Sequence, residues 1–579
     1  MNQQQTTILA ISGQVAREHS SDLINFWSGF INIQREINIR GPISIIAHSW
    51  NPEFNLLVTQ VYNPAKLISE KQQNFVDEYM PIINPVDLFE RGLVRVKSTW
   101  RRCSPQALIG NARSRSKVMQ LLDDFKPDEV GQVIAVRWDQ GVTGSLSVNT
   151  IIHDPSMPSD YIYMANYSEI DEGYADMWFI APYELAKKFS MYDQFVLESL
   201  AGSNGYLNAF TNNWPLSLPS DVKLIQIKSR LHWLFKKIPR VRLLKLASLF
   251  GSYFNRKAIG LFQRLDKFFS EVRLTGENSI LLSELHQGVK WPIFQAINNH
   301  AILKYFILEK GLREETRFLD LNDFERNLQS AGTLINPVEY ALVVYSHSSY
   351  SDCWHMVMSQ MIKYMPQNCK AVILLAEDSK LTHEKFKGLE SDLVQLITYP
   401  DYAPYTERLK NSFEKISELW PIAYFMHEDM PLVSPIDQYY LNGLLHYIKY
   451  SGEIFIKLVD TNYVDEKLSH PGFPGLVQNT GGYSISVQPA LIDTKKFAAF
   501  LTNFKCGLYE FESIASHSNL KASAVRGSNK VGRYFLANKY FPHLCTAISK
   551  GRWCTSEWGP EITELADLYE IDIEQRGRC

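Results

Sequence analysis

Apolar and polar positions along the chain alternate between short, nearly continuous hydrophobic runs and stretches with helical spacing. Thr7–Ile11 is such a run. It stops at Ser12-Gly13-Gln14 and is followed by Leu23, Phe26, Trp27 and Phe30, which predicts strand, loop and helix. A second strand is expected over Ile43–Ala47, after the turn residues Gly41-Pro42. Helical periodicity returns over Ser116–Phe125, and Gln132–Val136 reads as a strand running into Arg137-Trp138-Asp139. The plan restarts near residue 340. Tyr340–Tyr345, Ala371–Ala376 and Ile422–Met426 read as strands, with helices over Cys353–Met365 and Glu407–Leu419. Strand and helix signals in alternation predict an α/β fold with mainly parallel sheets. Two such domains are expected, 1–220 and 336–565, related by architecture rather than by residue-level repetition, with a tail over 566–579. The 221–335 segment between them reads as mainly helical.

Charge changes the picture of that segment. Within 223–267 there are twelve Lys/Arg against Asp266 alone, a local balance of +11 in a chain whose net charge is −3. The basic residues are interleaved with Leu, Phe and Trp. That pattern suits either a solvated amphipathic connector or an interfacial element meeting anionic lipid. Pro239 divides it, so one long surface helix is not expected. The net charge of −3 argues against a dedicated nucleic-acid binder. At 579 residues the chain exceeds one hydrophobic core, and 45% apolar with 21% charged residues is ordinary globular composition. Seven scattered cysteines contain no CxxC pair, so neither a disulfide framework nor a zinc knuckle is predicted. No signal peptide or long apolar span is evident, and a cytoplasmic location is expected, with peripheral contact at the inner face of a membrane.

In open α/β sheets, ligands bind beyond the carboxyl ends of the strands. Two sites place acids there: Arg137-Trp138-Asp139, and His427-Glu428-Asp429. A buried carboxylate needs solvent, a cation or donors, and Mg²⁺ or Mn²⁺ bridging to a diphosphate would meet that need. The simpler alternatives are a hairpin turn at Asp139, with Gln140-Gly141 following, and a helix N-cap at Asp429, ahead of Pro431. His427 is either a metal ligand or a hydrogen-bonding neighbour. No GxxxxGK[ST] loop and no GxSxG elbow is present, which removes kinase and serine-hydrolase readings.

Several segments of the second half resemble GT-A-type glycosyltransferases of bacteria and large viruses, which build capsules, lipopolysaccharides and related glycans. Tyr405-Thr406-Glu407-Arg408-Leu409 resembles the helix before the acidic strand end, and His427-Glu428-Asp429 a variant of Asp-x-Asp. Ser486-Val487-Gln488-Pro489, within Tyr483–Ala490, resembles the S-x-Q-P stretch near the acceptor site, and Tyr509-Glu510-Phe511-Glu512 the aromatic-Glu-Phe-Glu segment after it. The first half resembles such enzymes more faintly, at Thr7–Gly13, Ala47-His48-Ser49-Trp50, Arg137-Trp138-Asp139 and Asp176-Met177-Trp178-Phe179. Together these segments span most of 1–215 and 340–560. Neither acidic site is a full Asp-x-Asp, so a divalent cation is an open expectation.

The resemblance implies a bifunctional glycosyltransferase that moves sugars from nucleotide-sugar donors to a glycan or lipid-linked acceptor. It implies Glu512 as general base, with inversion in that domain, and Asp429 and Asp139 as catalytic and metal-binding acids. Ser12, Gly13, Arg137, Asp176, Arg408, Glu428 and Gln488 are implied on the donor side. Glu510 and Glu512 are not separated by charge, and the motif match selects Glu512. Arg137 and Arg408 serve either as phosphate forks or as salt-bridge partners. The alternatives are a single-activity enzyme with one non-catalytic domain, a carbohydrate-binding scaffold, and a metal-dependent hydrolase.

Overall fold

The structure is a computed structural model. It describes residues 5–16, 23–37, 41–75, 105–142, 150–153, 157–165, 174–201, 299–319, 334–461, 466–470, 472–480, 485–486, 488–516, 522–527, 529–530 and 534–579. The basic stretch 223–267, and Tyr483, Ser484 and Val487 of the S-x-Q-P region, lie outside the described residues.

The first sheet contains β1 (Thr6–Ser12), β2 (Ile43–Ser49), β3 (Lys66–Ser69), β4 (Val130–Arg137), β5 (Ile162–Ala165), β6 (Phe179–Ala181) and β7 (Thr316–Leu319), in the order β3-β2-β1-β4-β6-β5-β7. β1, β2, β3 and β4 run parallel, and β6 is antiparallel to β4. Ile8, Leu9, Ala10 and Ile11 are fully buried, as expected of a strand covered on both faces. The second sheet contains β8 (Tyr340–Tyr345), β9 (Cys369–Glu377), β10 (Val394–Tyr399), β11 (Ile422–His427), β12 (Phe455–Lys457), β14 (Glu466–Ser469), β15 (Leu476–Thr480), β16 (Ala490–Asp493) and β17 (Ala522–Val525). Its order is β10-β9-β8-β11-β16-β12-β17-β15-β14, while the short β13 (Asp460–Thr461) pairs outside it. The first four strands and the antiparallel fifth follow the same path in both sheets. The architectural duplication expected from the sequence is therefore present, and the fold is α/β with two mainly parallel sheet cores.

Helix boundaries differ from the periodicity in one place. The helix expected over Ser116–Phe125 spans Pro105–Gln120 and then tightens into a 3₁₀ turn at Leu121–Asp124. Its inner face (Leu108, Ile109, Ala112, Met119) is interrupted in sequence by Gly110 and by the buried polar residues Ser114, Arg115 and Ser116, which hides the pattern. Part of the expected connector also belongs to the first sheet. The Asn299–Glu309 helix buries Ile302, Leu303 and Phe306 in that domain's core, and β7 pairs in parallel with β5. The tail is likewise built into the second domain, since the Thr555–Tyr569 helix runs into it and Arg576 pairs with Asp352.

The two sheets share one apolar cluster rather than standing apart. Helix α1 (Ile24–Glu36) packs against elements of both. Trp27 meets the edges of Tyr447 (5.6 Å between ring centroids) and Phe30 those of His446 (5.4 Å), both on the Gln438–Ser451 helix. Gly443 lets that helix approach, because a Cβ there would lie 3.1 Å from Ile31. Buried Gln34 accepts from Asn442 Nδ2 (2.8 Å) and Ile335 N (3.2 Å), and Arg35 pairs with Asp437 (2.8 Å). On its other side α1 touches the turn after β4: a Cβ on Gly29 would sit 1.9 Å from the Trp138 carbonyl oxygen. Only glycine allows that approach.

Candidate active site

The second acidic turn begins where β11 ends at His427. β8 flanks it in parallel, with Tyr345 opposite His427. β16 flanks it in antiparallel fashion up to the pair Phe425 and Ala490. That register carries Gln488 and Ser486 past the last pair toward the turn. The N-cap alternative for Asp429 does not hold, because the next helix starts at Gln438 and is capped by Asp437, which accepts from Tyr439 N and Tyr440 N.

Asp429 lies within electrostatic reach of two further acids, Glu428 and Glu512. Glu428 is buried, and burial together with adjacent Asp429 pushes its pKa up to about 8, against the opposing pull of Ser346 and Arg576. Asp429 rises to about 7 through burial, with the charge of Glu512 adding to the rise. Its Oδ1 is shut away from solvent with no hydrogen-bond donor among the described residues, while its backbone oxygen accepts from Ala547 N (2.7 Å). Glu512 lies on the inner face of the Leu508–Ser516 helix, and Glu510 is exposed on the outer face. Burial thus separates two acids that charge cannot. The Glu512 helix is tied to the start of the Tyr405–Ser417 helix through Thr406, whose Oγ1 accepts from Cys506 N (3.0 Å). This brings Tyr405 within electrostatic reach of both Glu512 and Glu428.

The surrounding groups are mostly committed. His427 Nε2 is 2.8 Å from the Tyr405 hydroxyl, and burial lowers the imidazole's pKa to about 4, so the ring is neutral at physiological pH. Arg408 donates to Ala403 O (2.6 Å), pairs with Asp401 (3.2 Å) and stacks over Tyr399, which makes it the brace of the 399–403 loop. Buried oxygens of Gln488 (Oε1), Ser486 (Oγ) and Thr546 (Oγ1) have no hydrogen-bond partner among the described residues. Thr546 immediately precedes Ala547 and adopts a left-handed backbone (φ 66°). Neither Thr546 nor Arg576 carries a local sequence signal. Arg576 reaches the site from the far end of the chain, donating to Asp352 (2.7 Å) and lying 4.5 Å over the Tyr350 ring.

The first acidic turn is different. Asp139 lies just beyond the carboxyl end of β4, in a turn closed by Gln140 N to Arg137 O (3.2 Å). Among the described residues it joins no hairpin, since β4 pairs with β1 on one side and β6 on the other. Arg137 grips Asp139 with two parallel bonds, Nε to Oδ1 (3.0 Å) and NH2 to Oδ2 (2.9 Å). Asp176 is buried and accepts from Asn111 Nδ2 (2.8 Å). Burial works against its charge, but His300, Arg137 and Arg115, with the Asn111 bond, outweigh this and hold its pKa below the usual value. Ser12 is buried opposite Arg137 in the β1–β4 register, and the Gly13 carbonyl accepts from Trp50 N (3.1 Å). Among the described residues, no group of three or more His, Cys, Asp or Glu is arranged as a ready metal cluster.

No family model matches the chain, and no curated protein matches it. Solved structures with local likeness include GalNAc-T7 with UDP, GalNAc and Mn²⁺, at 10% identity and TM-score 0.25, covering 33% of this chain and 43% of that one. Residues 1–349 of S. aureus TarS in complex with UDP give 10% identity and TM-score 0.24 over 41% and 67%. A 4-diphosphocytidyl-2C-methyl-D-erythritol synthase from Anaerococcus prevotii DSM 20548 gives 10% and 0.23 over 33% and 88%. The chain thus spans less than half of the GalNAc-T7 structure.

Proposed function

We propose that this chain is a nucleotide-sugar-dependent glycosyltransferase whose reaction centre is the second turn. The observation that carries the reading is that Asp429, beyond the carboxyl end of β11, lies within electrostatic reach of Glu428 and Glu512 while its enclosed Oδ1 has no donor among the described residues. Burial raises both carboxyl groups because their charged forms lack positive charge, and their hard oxygens would fit a divalent cation, which would be held by Asp429 with Glu428 once deprotonated. Such an ion, when bound, offsets the charge of a departing diphosphate.

Glu512 is the base. Its carboxylate takes the proton of an acceptor hydroxyl as that oxygen bonds to the anomeric carbon, and the bond to the diphosphate breaks with its electron pair on the leaving group. Attack from the face opposite the diphosphate inverts the anomeric centre. Neutral His427, bonded to Tyr405, keeps the strand end fixed without adding charge. Gln488 and Ser486 offer acceptor oxygens to sugar hydroxyls. The acceptor is a glycan or lipid-linked sugar, reached with help from the basic 223–267 stretch.

The single-activity form of this reading is favoured by the bidentate Arg137–Asp139 pair, which leaves the first turn without surplus negative charge. The test is a panel of UDP-, GDP- and CMP-sugars assayed for donor hydrolysis and transfer with Asp429→Ala and Asp139→Ala. Loss of turnover in the first variant alone supports the reading. Full turnover in Asp429→Ala refutes it.

A further inference from the structure

Two thiols outside the proposed reaction centre stand in contact. Cys554 Sγ and Cys579 Sγ are 2.9 Å apart, against about 2.05 Å for a disulfide bond. The backbone sets this up. Trp553 and Arg578 form a parallel bridge, with Trp553 N donating to Gly577 O (3.0 Å) and Cys579 N to Trp553 O (2.8 Å). One step along that register brings residues 554 and 579 side by side. Neighbouring strands lie about 4.7–4.9 Å apart, inside the roughly 4.4–6.8 Å range of Cα separations that a disulfide spans.

The same ladder reaches the acidic turn. Cys554 N donates to Ala547 O (2.8 Å), and Ala547 N donates to Asp429 O (2.7 Å). The segment ending at Cys579 also carries Arg576, which is fastened to Asp352 and Ser349 and sits within electrostatic reach of Glu428.

We propose that Cys554 and Cys579 form a reversible intramolecular disulfide that locks the Arg576 segment beside the Glu428–Asp429 turn. This goes beyond the transferase reading and does not depend on it. The co-reactant is a low-molecular-weight disulfide such as oxidised glutathione. Exposed Cys579, as thiolate, attacks one of its sulfurs and expels a small thiolate, leaving a mixed disulfide. Cys554, buried and in contact, then attacks the Cys579 sulfur, loses its proton to solvent and releases the second small thiolate. Two protein thiols are oxidised and one small disulfide is reduced to two thiols. A pair of this kind in a reducing compartment is redox-responsive rather than a permanent staple.

The experiment treats the full chain with oxidised glutathione, blocks free thiols, and maps peptides by mass spectrometry without reduction. Hydrogen exchange is then followed in the oxidised and reduced proteins. The expected result is a cross-link between the Cys554 and Cys579 peptides that dithiothreitol reverses. Exchange at Gly577 and Cys579 should be slower by at least ~10-fold in the oxidised form. Cys579→Ser should abolish both effects while keeping the far-ultraviolet dichroism of the parent. The proposal is overturned if both thiols remain blockable, if glutathione stays on Cys579 with Cys554 free, or if the cross-linked tail exchanges at the reduced rate. None of these readouts involves sugar transfer, so the two readings fail independently.

Discussion

Replacing Asp429 with asparagine should make the folded protein more stable at alkaline pH while removing its activity. The Asp429 carboxyl is held at about 7 against an ordinary 3.8, so the folded state binds its proton more tightly than the unfolded state. The sign follows from linkage: the proton is bound in both states below about pH 3.8, and the cost of the charge grows as pH rises toward 7 and is complete above it. At about 1.4 kcal/mol per unit, the ceiling is on the order of 4 kcal/mol. Asp429 keeps a partly open face, and relaxation around it lowers the observable gain to ~1–3 kcal/mol at pH 8. Asparagine keeps the shape, carries no charge, and supplies donors toward Glu428 and Glu512.

The assay is urea unfolding of both proteins at pH 5 and pH 8, with and without Mn²⁺. The variant should gain at pH 8, the gain should fall to less than half at pH 5, and Mn²⁺ should raise the midpoint of the parent only. Equal midpoints for the two proteins at pH 8 would show that the turn does not hold a strained charge, and the electrostatic basis of the proposed centre would fall with it.

The remaining expectations are more direct. Glu512→Gln should spare nucleotide affinity by calorimetry while lowering transfer ~10²–10⁴-fold, and Glu510→Gln, on the exposed face, should transfer at nearly the parent rate. Gly29→Ala should cost ~2–4 kcal/mol in urea unfolding, because its Cβ would meet the Trp138 carbonyl oxygen at 1.9 Å and α1 cannot withdraw without breaking its contacts with the second domain. The basic 223–267 stretch should carry the protein to vesicles containing anionic lipid in flotation at low salt, with weaker recovery at physiological salt. Equal recovery on neutral vesicles would reduce that stretch to a connector.

The sheet cores were legible in the sequence because strands buried on both faces read as unbroken apolar runs. Thr7–Ile11, Tyr340–Tyr345 and Ile422–Met426 all fall within β1, β8 and β11. Of the Pro105–Gln120 helix only the end, from Ser116, was legible, because its inward face carries Ser114, Arg115 and Ser116, whose partners, such as Asp176 and Phe189, are remote in sequence. Those partners cannot be seen from the residues themselves. The same limit applies at the candidate site. His427-Glu428-Asp429 stands out as acids at a strand end, but Arg576, Tyr350 and Thr546 arrive through tertiary contacts. Glu512 could be preferred to Glu510 only by motif until burial separated them.

The duplicated architecture makes the two turns comparable position by position. Arg137 stands opposite Ser12 at the end of the first strand pair, and His427 stands opposite Tyr345 in the second. Asp139 and Asp429 therefore occupy the same place, two residues beyond. In the first turn that place is neutralised from within: Arg137 forks onto Asp139, and Trp138 buries its ring in the core while donating to His48 O (3.0 Å). In the second, the arginine position holds a neutral imidazole and the tryptophan position holds Glu428, so burial concentrates acids, and the cation acting on Glu428 is the more remote Arg576. Self-assembly of the fold gives no reason to keep such a cluster, since a turn neutralised by its own arginine serves the first domain. A ligand that brings positive charge and hydrogen-bond donors would give a reason, and of the two turns the second is the one whose acids are not neutralised from within.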